Sequence, residues 1–199
     1  MKNNKPSIVL RIITAICFIW VLVNGAQSFI TGKIYESGDI MAIVVAALPV
    51  LAGLLILIGA LVGARVVFGI GAIVYLIYTG FEIYYYVTQM FQDIPAETKA
   101  GFRGLIITLA LIFLAFLFLA LACFNKRADL ALCLLSAALF VVYFFVRRSQ
   151  LPADASKWPL SLVLTSAGAV VGTILMGMTM ALGKNKEKKE SKYLNTSAE

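Results

Sequence analysis

Residues 104 to 124 read GLIITLALIFLAFLFLALACF, a run without a single charged side chain in which Thr108 supplies the only hydroxyl group. A transmembrane helix needs about 20 such residues, because its backbone polar groups must be bonded within the segment where no water reaches them. The run therefore predicts a membrane-spanning helix. Since it is apolar on every side, we expect it to lie against lipid.

The rest of the chain repeats this character. Of its 199 residues 61% are hydrophobic and 14% are charged, whereas soluble domains are about half apolar and a quarter charged. The short alternating segments of a β-barrel are absent. We predict an all-α integral membrane protein, a bundle of six transmembrane helices joined by short loops. The predicted spans are about 7–30, 40–63, 66–90, 103–124, 129–147 and 160–182.

The first span follows two lysines, as a signal peptide would, but its length and the five later spans favour a retained helix. If the N-terminus is cytoplasmic, eleven lysines and arginines fall on the inner side and six on the outer side. Basic residues favour the cytoplasmic side of a membrane. We therefore predict a multi-pass protein of a bacterial cytoplasmic membrane, with the N- and C-termini in the cytoplasm.

The chain ends in a lysine-rich segment. We expect residues 1–183 to form one transmembrane domain and residues 184–199 to form a basic, disordered cytoplasmic tail. The formal charge of +7 then lies mainly on the inner face, next to the lipid bilayer. No aromatic residues alternate with these lysines in a folded domain, so nothing indicates nucleic-acid binding.

The composition also limits the chemistry. The chain has no histidine, which excludes histidine-based acid–base catalysis and most zinc sites. The three cysteines, Cys17, Cys123 and Cys133, have no metal-ligand spacing. Only one acidic residue lies in the interior of a predicted span, since Asp129 stands at the very start of the fifth span. We therefore expect no enzyme activity, no catalytic residues, no metal and no cofactor.

That acidic residue is Glu82, in the stretch VYLIYTGFEIYYYVTQMF from Val74 to Phe91. Each residue turns a helix by about 100°, so most of the tyrosines here fall within about 60° of Glu82, and only Tyr84 points away. The tyrosines that share its face are Tyr75, Tyr78, Tyr85 and Tyr86. The third span thus has one polar, phenolic stripe.

Other spans carry matching polar faces near the same side of the membrane. Polar side chains in hydrocarbon normally turn inward to find partners. The sequence therefore predicts an outward-facing polar and aromatic pocket, in which a carboxylate and tyrosine faces would attract a cationic solute. The predicted ligand-binding residues are Glu82, Tyr78, Tyr85, Asn24, Gln27 and Tyr143.

Two alternatives for Glu82 remain open from the sequence. It could form a structural ion pair with Arg147 or Arg148, or it could stand at the membrane interface within an aromatic belt. The function also has two readings. A small-solute transport or solute-binding subunit, taking a small cationic or polar solute, is the leading hypothesis. The alternative is a non-catalytic accessory or assembly subunit, which binds a membrane protein partner and has no ligand of its own.

Overall fold

The computed structural model describes residues 8–31, 39–150 and 160–196, and the side chains of residues 8–30, 39–150 and 160–182. These residues form six α-helices and contain no β-strand. Each helix includes a segment long and apolar enough to cross a membrane. The predicted set of six helices is confirmed, and it is compatible with a multi-pass membrane protein. The helices are α1 (Ile8–Thr31), α2 (Ile40–Val62), α3 (Arg65–Met90), α4 (Ala96–Phe124), α5 (Asp129–Ser149) and α6 (Leu160–Thr196).

The helices are arranged in a ring. Each packs against the next in the chain, and α6 packs against α1 to close the ring. Short connections join α2 to α3 and α4 to α5 at one end of the bundle, which we call the Arg65 end. Helices α3 and α5 finish at the opposite end, which we call the Arg147 end.

Glycines allow the neighbouring helices to approach closely. A Cβ atom built on Gly59 of α2 would lie 2.4 Å from the backbone nitrogen of Phe68 on α3. A Cβ atom on Gly172 of α6 would lie 2.8 Å from Cys17 Cβ on α1. Small residues at such crossings let helix backbones approach each other closely, as they do at helix contacts in membrane proteins.

Two arginines close the helix ends at the Arg65 end of the bundle. Arg65 donates from Nε to the carbonyl oxygen of Cys123 and from Nη2 to that of Ala122, both at 2.7 Å, and Nη1 lies 3.9 Å from Asp129 Oδ2. Arg11 of α1 donates from Nη1 to the carbonyl oxygen of Val62 at 2.9 Å. The last carbonyls of a helix lack partners within the helix, so these arginines bind the C-terminal turns of α4 and α2.

The structure differs from the sequence prediction in two helices. Helix α4 begins at Ala96, after Pro95, and not near residue 103 as predicted. The prediction missed the first turns because they are polar, and it located spans by their apolar residues alone. One face of α4 is also buried: Phe116 and Leu119 are fully enclosed, so the prediction that the whole helix lies against lipid is wrong for that face. Helix α6 continues to Thr196, past residue 182, where the predicted sixth span ends.

Candidate functional site

Four aromatic side chains meet in the middle of the ring. Trp20 lies 6.3 Å from Tyr75, 6.3 Å from Phe116 and 6.4 Å from Phe140, measured between ring centroids. Phe116 in turn lies 4.4 Å from Tyr75 and 5.7 Å from Phe140. The four residues come from α1, α3, α4 and α5, so together they close the interior of the ring. We call them the aromatic floor.

Two polar atoms near this level are buried without a hydrogen-bond partner among the described residues. They are Nε1 of Trp20, which belongs to the aromatic floor, and Oγ of Ser166 on α6. Buried polar groups in proteins are normally hydrogen-bonded, to protein, water or a ligand. The interior of the bundle therefore contains an indole N–H group and a hydroxyl group that form no hydrogen bond with the described residues.

Glu82 stands above the floor, toward the Arg147 end. It follows Tyr75 by seven residues, which places it about 20° from Tyr75 around the helix and about 10 Å further along it. The hydroxyl of Tyr78, one turn before Glu82, donates a hydrogen bond of 2.5 Å to Glu82 Oε1. Both side chains are half-buried. The polar stripe predicted for the third span is thus a direct carboxylate–phenol pair.

Glu82 has no ion-pair partner within the part of the chain that the structure describes. The guanidinium of Arg147 donates instead to Gln150 Oε1 at 3.0 Å, and Glu82 forms no salt bridge with either Arg147 or Arg148. The structural ion pair that the sequence left open is therefore not formed among these residues. The carboxylate is held by a neutral phenol.

Tyr143 of α5 faces the same region. It follows the floor residue Phe140 by three residues and is half-buried. Tyr143 and Glu82 both lie close enough to the Tyr75 hydroxyl to interact with it electrostatically. A polar group of α3 and one of α5 therefore both lie near the Tyr75 hydroxyl.

A cleft opens between α4 and α5 at the Arg147 end, with a volume of about 590 Å³. Gln150 organises it: its Nε2 donates to the carbonyl oxygen of Gly104 at 3.1 Å and to Thr108 Oγ1 at 3.3 Å, while its Oε1 accepts from Arg147. Its lining includes Thr98, Gly101, Gly104, Leu105, Arg147 and Gln150.

The other predicted site residues lie apart from the carboxylate. Asn24 and Gln27 are exposed, on the face of α1 that carries Trp20, and Tyr85 is 56% exposed, with its ring against Tyr86 at 5.4 Å. None of the three forms a hydrogen bond with Glu82. The structure thus joins Glu82 directly to Tyr78, places Tyr143 near the Tyr75 hydroxyl, and leaves Asn24, Gln27 and Tyr85 exposed.

Sequence reasoning missed the cleft and the role of Gln150. Thr108 was the only available signal, because it is the single hydroxyl in an otherwise apolar span. In the described residues no group of three or more histidine, cysteine or acidic side chains is placed to hold a metal ion. Comparisons with protein-family models, with curated proteins and with solved structures gave no match to this chain.

Proposed function

We propose that this chain is a small-solute transport or solute-binding subunit of a bacterial cytoplasmic membrane, and that it takes a cationic or polar solute beside Glu82. In this proposal both termini are cytoplasmic and the Arg147 end faces outward, as the distribution of basic residues predicts. The observation that carries the proposal is the half-buried carboxylate of Glu82, bound by the Tyr78 hydroxyl within a membrane-length helix.

A carboxylate at this place is costly unless something compensates it. An ionised acid within a membrane span is unfavourable by several kcal/mol, and such residues usually mark a site for a ligand, an ion or a proton. The Tyr78 hydroxyl supplies one hydrogen bond to Oε1. A bound ammonium group would supply the opposite charge, and the nearby rings of Tyr75 and Tyr78 would add cation–π attraction.

The aromatic floor limits the depth of the proposed solute site. The rings of Trp20, Tyr75, Phe116 and Phe140 block the interior below Glu82, and Trp20 Nε1 is buried among them without a hydrogen-bond partner in the described residues. A solute could then enter from the Arg147 end and stop at the floor. Passage beyond the floor would require the aromatic rings to move.

The test is a thermal-unfolding screen of the purified protein in detergent. Choline, putrescine, arginine and glycerol serve as probes, since a ligand that binds only the folded state raises its stability. We expect at least one cation to raise the unfolding temperature of the wild type. Glu82→Gln should abolish that rise, and Tyr78→Phe should weaken it, because the carboxylate loses the phenol that positions it.

Tyr84→Phe is the matched control, since Tyr84 is on the same helix, is 69% exposed and points away from Glu82. It should respond to the probes as the wild type does. If no probe stabilises the wild type, or if Glu82→Gln responds as well as the wild type, the solute site is refuted. Co-purification of a stoichiometric partner in that case would favour the accessory-subunit alternative.

A further inference from the structure

Glu82 and Arg147 occupy equivalent positions on two different helices. Glu82 follows the floor residue Tyr75 by seven residues on α3, and Arg147 follows the floor residue Phe140 by seven residues on α5. Seven residues make about two helical turns, so each charged residue lies on nearly the same face as its floor residue and about 10 Å beyond it. A carboxylate and a guanidinium thus stand above the same floor at the same depth.

The two charged groups do not touch. No salt bridge joins them, although both are half-buried. Helix α4 separates α3 from α5 in the ring. Neighbouring helix axes lie about 8–10 Å apart, so the axes of α3 and α5 are roughly 15 Å apart. A ligand that contacts both charged groups must therefore span the space between these two helices.

The Arg147 side chain is positioned by a hydrogen bond that uses only one of its N–H donors. Among the described residues its guanidinium makes one hydrogen bond, from Nη1 to Gln150 Oε1, and Gln150 is itself bound to Gly104 and Thr108 of α4. A guanidinium carries five N–H donors in a fixed fork, which matches the geometry of a carboxylate. The remaining donors of Arg147 can therefore bind an anionic group without any change in this anchoring.

The wall facing Arg147 leaves room for such a group. Arg147 lines the cleft of about 590 Å³ together with Gly101 of α4, and a Cβ atom added to Gly101 would meet nothing within 4 Å. Ligand sites typically occupy about 300–1,000 Å³. The cleft is lined by α4 and α5 and not by Glu82, so it has room for the end of a small organic solute that contacts Arg147.

We propose that the solute is a zwitterion, with its ammonium group at Glu82 and its carboxylate at Arg147. This inference rests on the solute site of the proposed function and adds the anionic half of the ligand. A solute of this class neutralises both membrane-embedded charges at once. A simple cation satisfies only Glu82.

The experiment compares matched probes on the full-length protein in detergent, with affinities measured by calorimetry. Glycine betaine and choline share a trimethylammonium group, but only betaine has a carboxylate. A series of unbranched amino acids, from α-amino to ε-amino, varies the distance between the ammonium group and the carboxylate. Each is compared with the amino alcohol of equal length, which lacks the carboxylate. We expect at least one zwitterion to bind about tenfold to a hundredfold more tightly than the matched choline or amino alcohol, which lacks the carboxylate. This is the gain that one hydrogen bond between charged groups would give.

The variants separate the two ends of the ligand. Arg147→Gln should lower the affinity for the best zwitterion about tenfold to a hundredfold and leave the matched amino alcohol or choline unchanged. Gly101→Leu should also weaken the zwitterion, because its side chain enters the cleft. Arg103→Gln is the charge-matched control, since Arg103 is exposed on α4 and does not line the cleft; it should have no effect.

The outcomes distinguish this inference from the proposed function. If the cations bind as tightly as the zwitterions and Arg147→Gln changes neither, the zwitterion is refuted while the cation site at Glu82 stands. If Arg103→Gln weakens the zwitterion as much as Arg147→Gln does, the effect is general surface charge and the inference is refuted. If neither class of probe binds the wild type, both proposals fall.

Discussion

Replacing Gly59 by alanine tests the helix packing on which the whole ring depends. The new Cβ atom would lie 2.4 Å from the backbone nitrogen and 2.7 Å from the Cα atom of Phe68. Backbone atoms cannot rotate aside, so α2 and α3 must move apart by roughly 1 Å to restore normal contact distances. The displacement would loosen Ile56 and Phe68, which are fully buried.

The magnitude follows from two opposing terms. Overpacking of this kind costs about 1–3 kcal/mol, while the change from glycine to alanine inside a helix gains about 1 kcal/mol in intrinsic propensity. Gly80→Ala measures the gain in helix propensity without the overpacking, because a Cβ atom on Gly80 has only an ordinary contact of 3.9 Å with Phe113. The difference in free energy of unfolding between the two variants is therefore the packing term alone, about 1–3 kcal/mol.

The assay is unfolding of the detergent-solubilised protein by titration with dodecyl sulfate. Trp20 reports the loss of the core, since its ring lies in the aromatic floor. We expect Gly80→Ala to unfold at or above the wild-type midpoint and Gly59→Ala to unfold below it. Equal free energies of unfolding for the two variants would refute the close crossing of α2 and α3.

Three further predictions concern the Arg65 end, the orientation and the C-terminal segment. Arg65→Gln should lower the free energy of unfolding by about 2–3 kcal/mol, because charged hydrogen bonds to two helix-end carbonyls are lost. The control is Arg127→Gln, since Arg127 is exposed. Equal free energies of unfolding for the two variants would contradict the role of Arg65. In a cysteine-free background, Lys99→Cys should react with an impermeant maleimide in intact cells and Lys126→Cys only after permeabilisation, and the reverse pattern would invert the orientation. Deletion of residues 185–199 should leave the unfolding midpoint unchanged, whereas a large decrease would mean that this segment docks on the bundle.

The sequence predicted the helices well because hydrophobic length is a local property. Each span needs its own run of apolar residues, and such a run is visible without knowledge of its neighbours. Glu82 and Tyr78 were also predictable as a pair, since a spacing of four residues places two side chains side by side on a helix. Their hydrogen bond follows from that spacing.

The ring order and the floor were not predictable in this way. Trp20 lies on the same face of α1 as Asn24 and Gln27, yet only its long ring reaches the side chains of three other helices. That reach depends on how the helices pack, which a helical wheel does not contain. Gln150 was equally hidden, because it lies just past the end of α5 and bonds to α4 only through the tertiary arrangement.

The most direct test of the central claim, that Glu82 belongs to a solute site inside the ring, is the response of Glu82→Lys in the thermal-unfolding screen. The lysine would remove the acceptor of the Tyr78 hydroxyl and place a second cation on the interior face that Arg147 shares. We predict a lower unfolding temperature than the wild type and no stabilisation by any cation or zwitterion that stabilises the wild type. A Glu82→Lys protein with wild-type stability and an undiminished response would show that Glu82 is not part of a solute site, and would instead place Glu82 in an aromatic belt at the membrane interface.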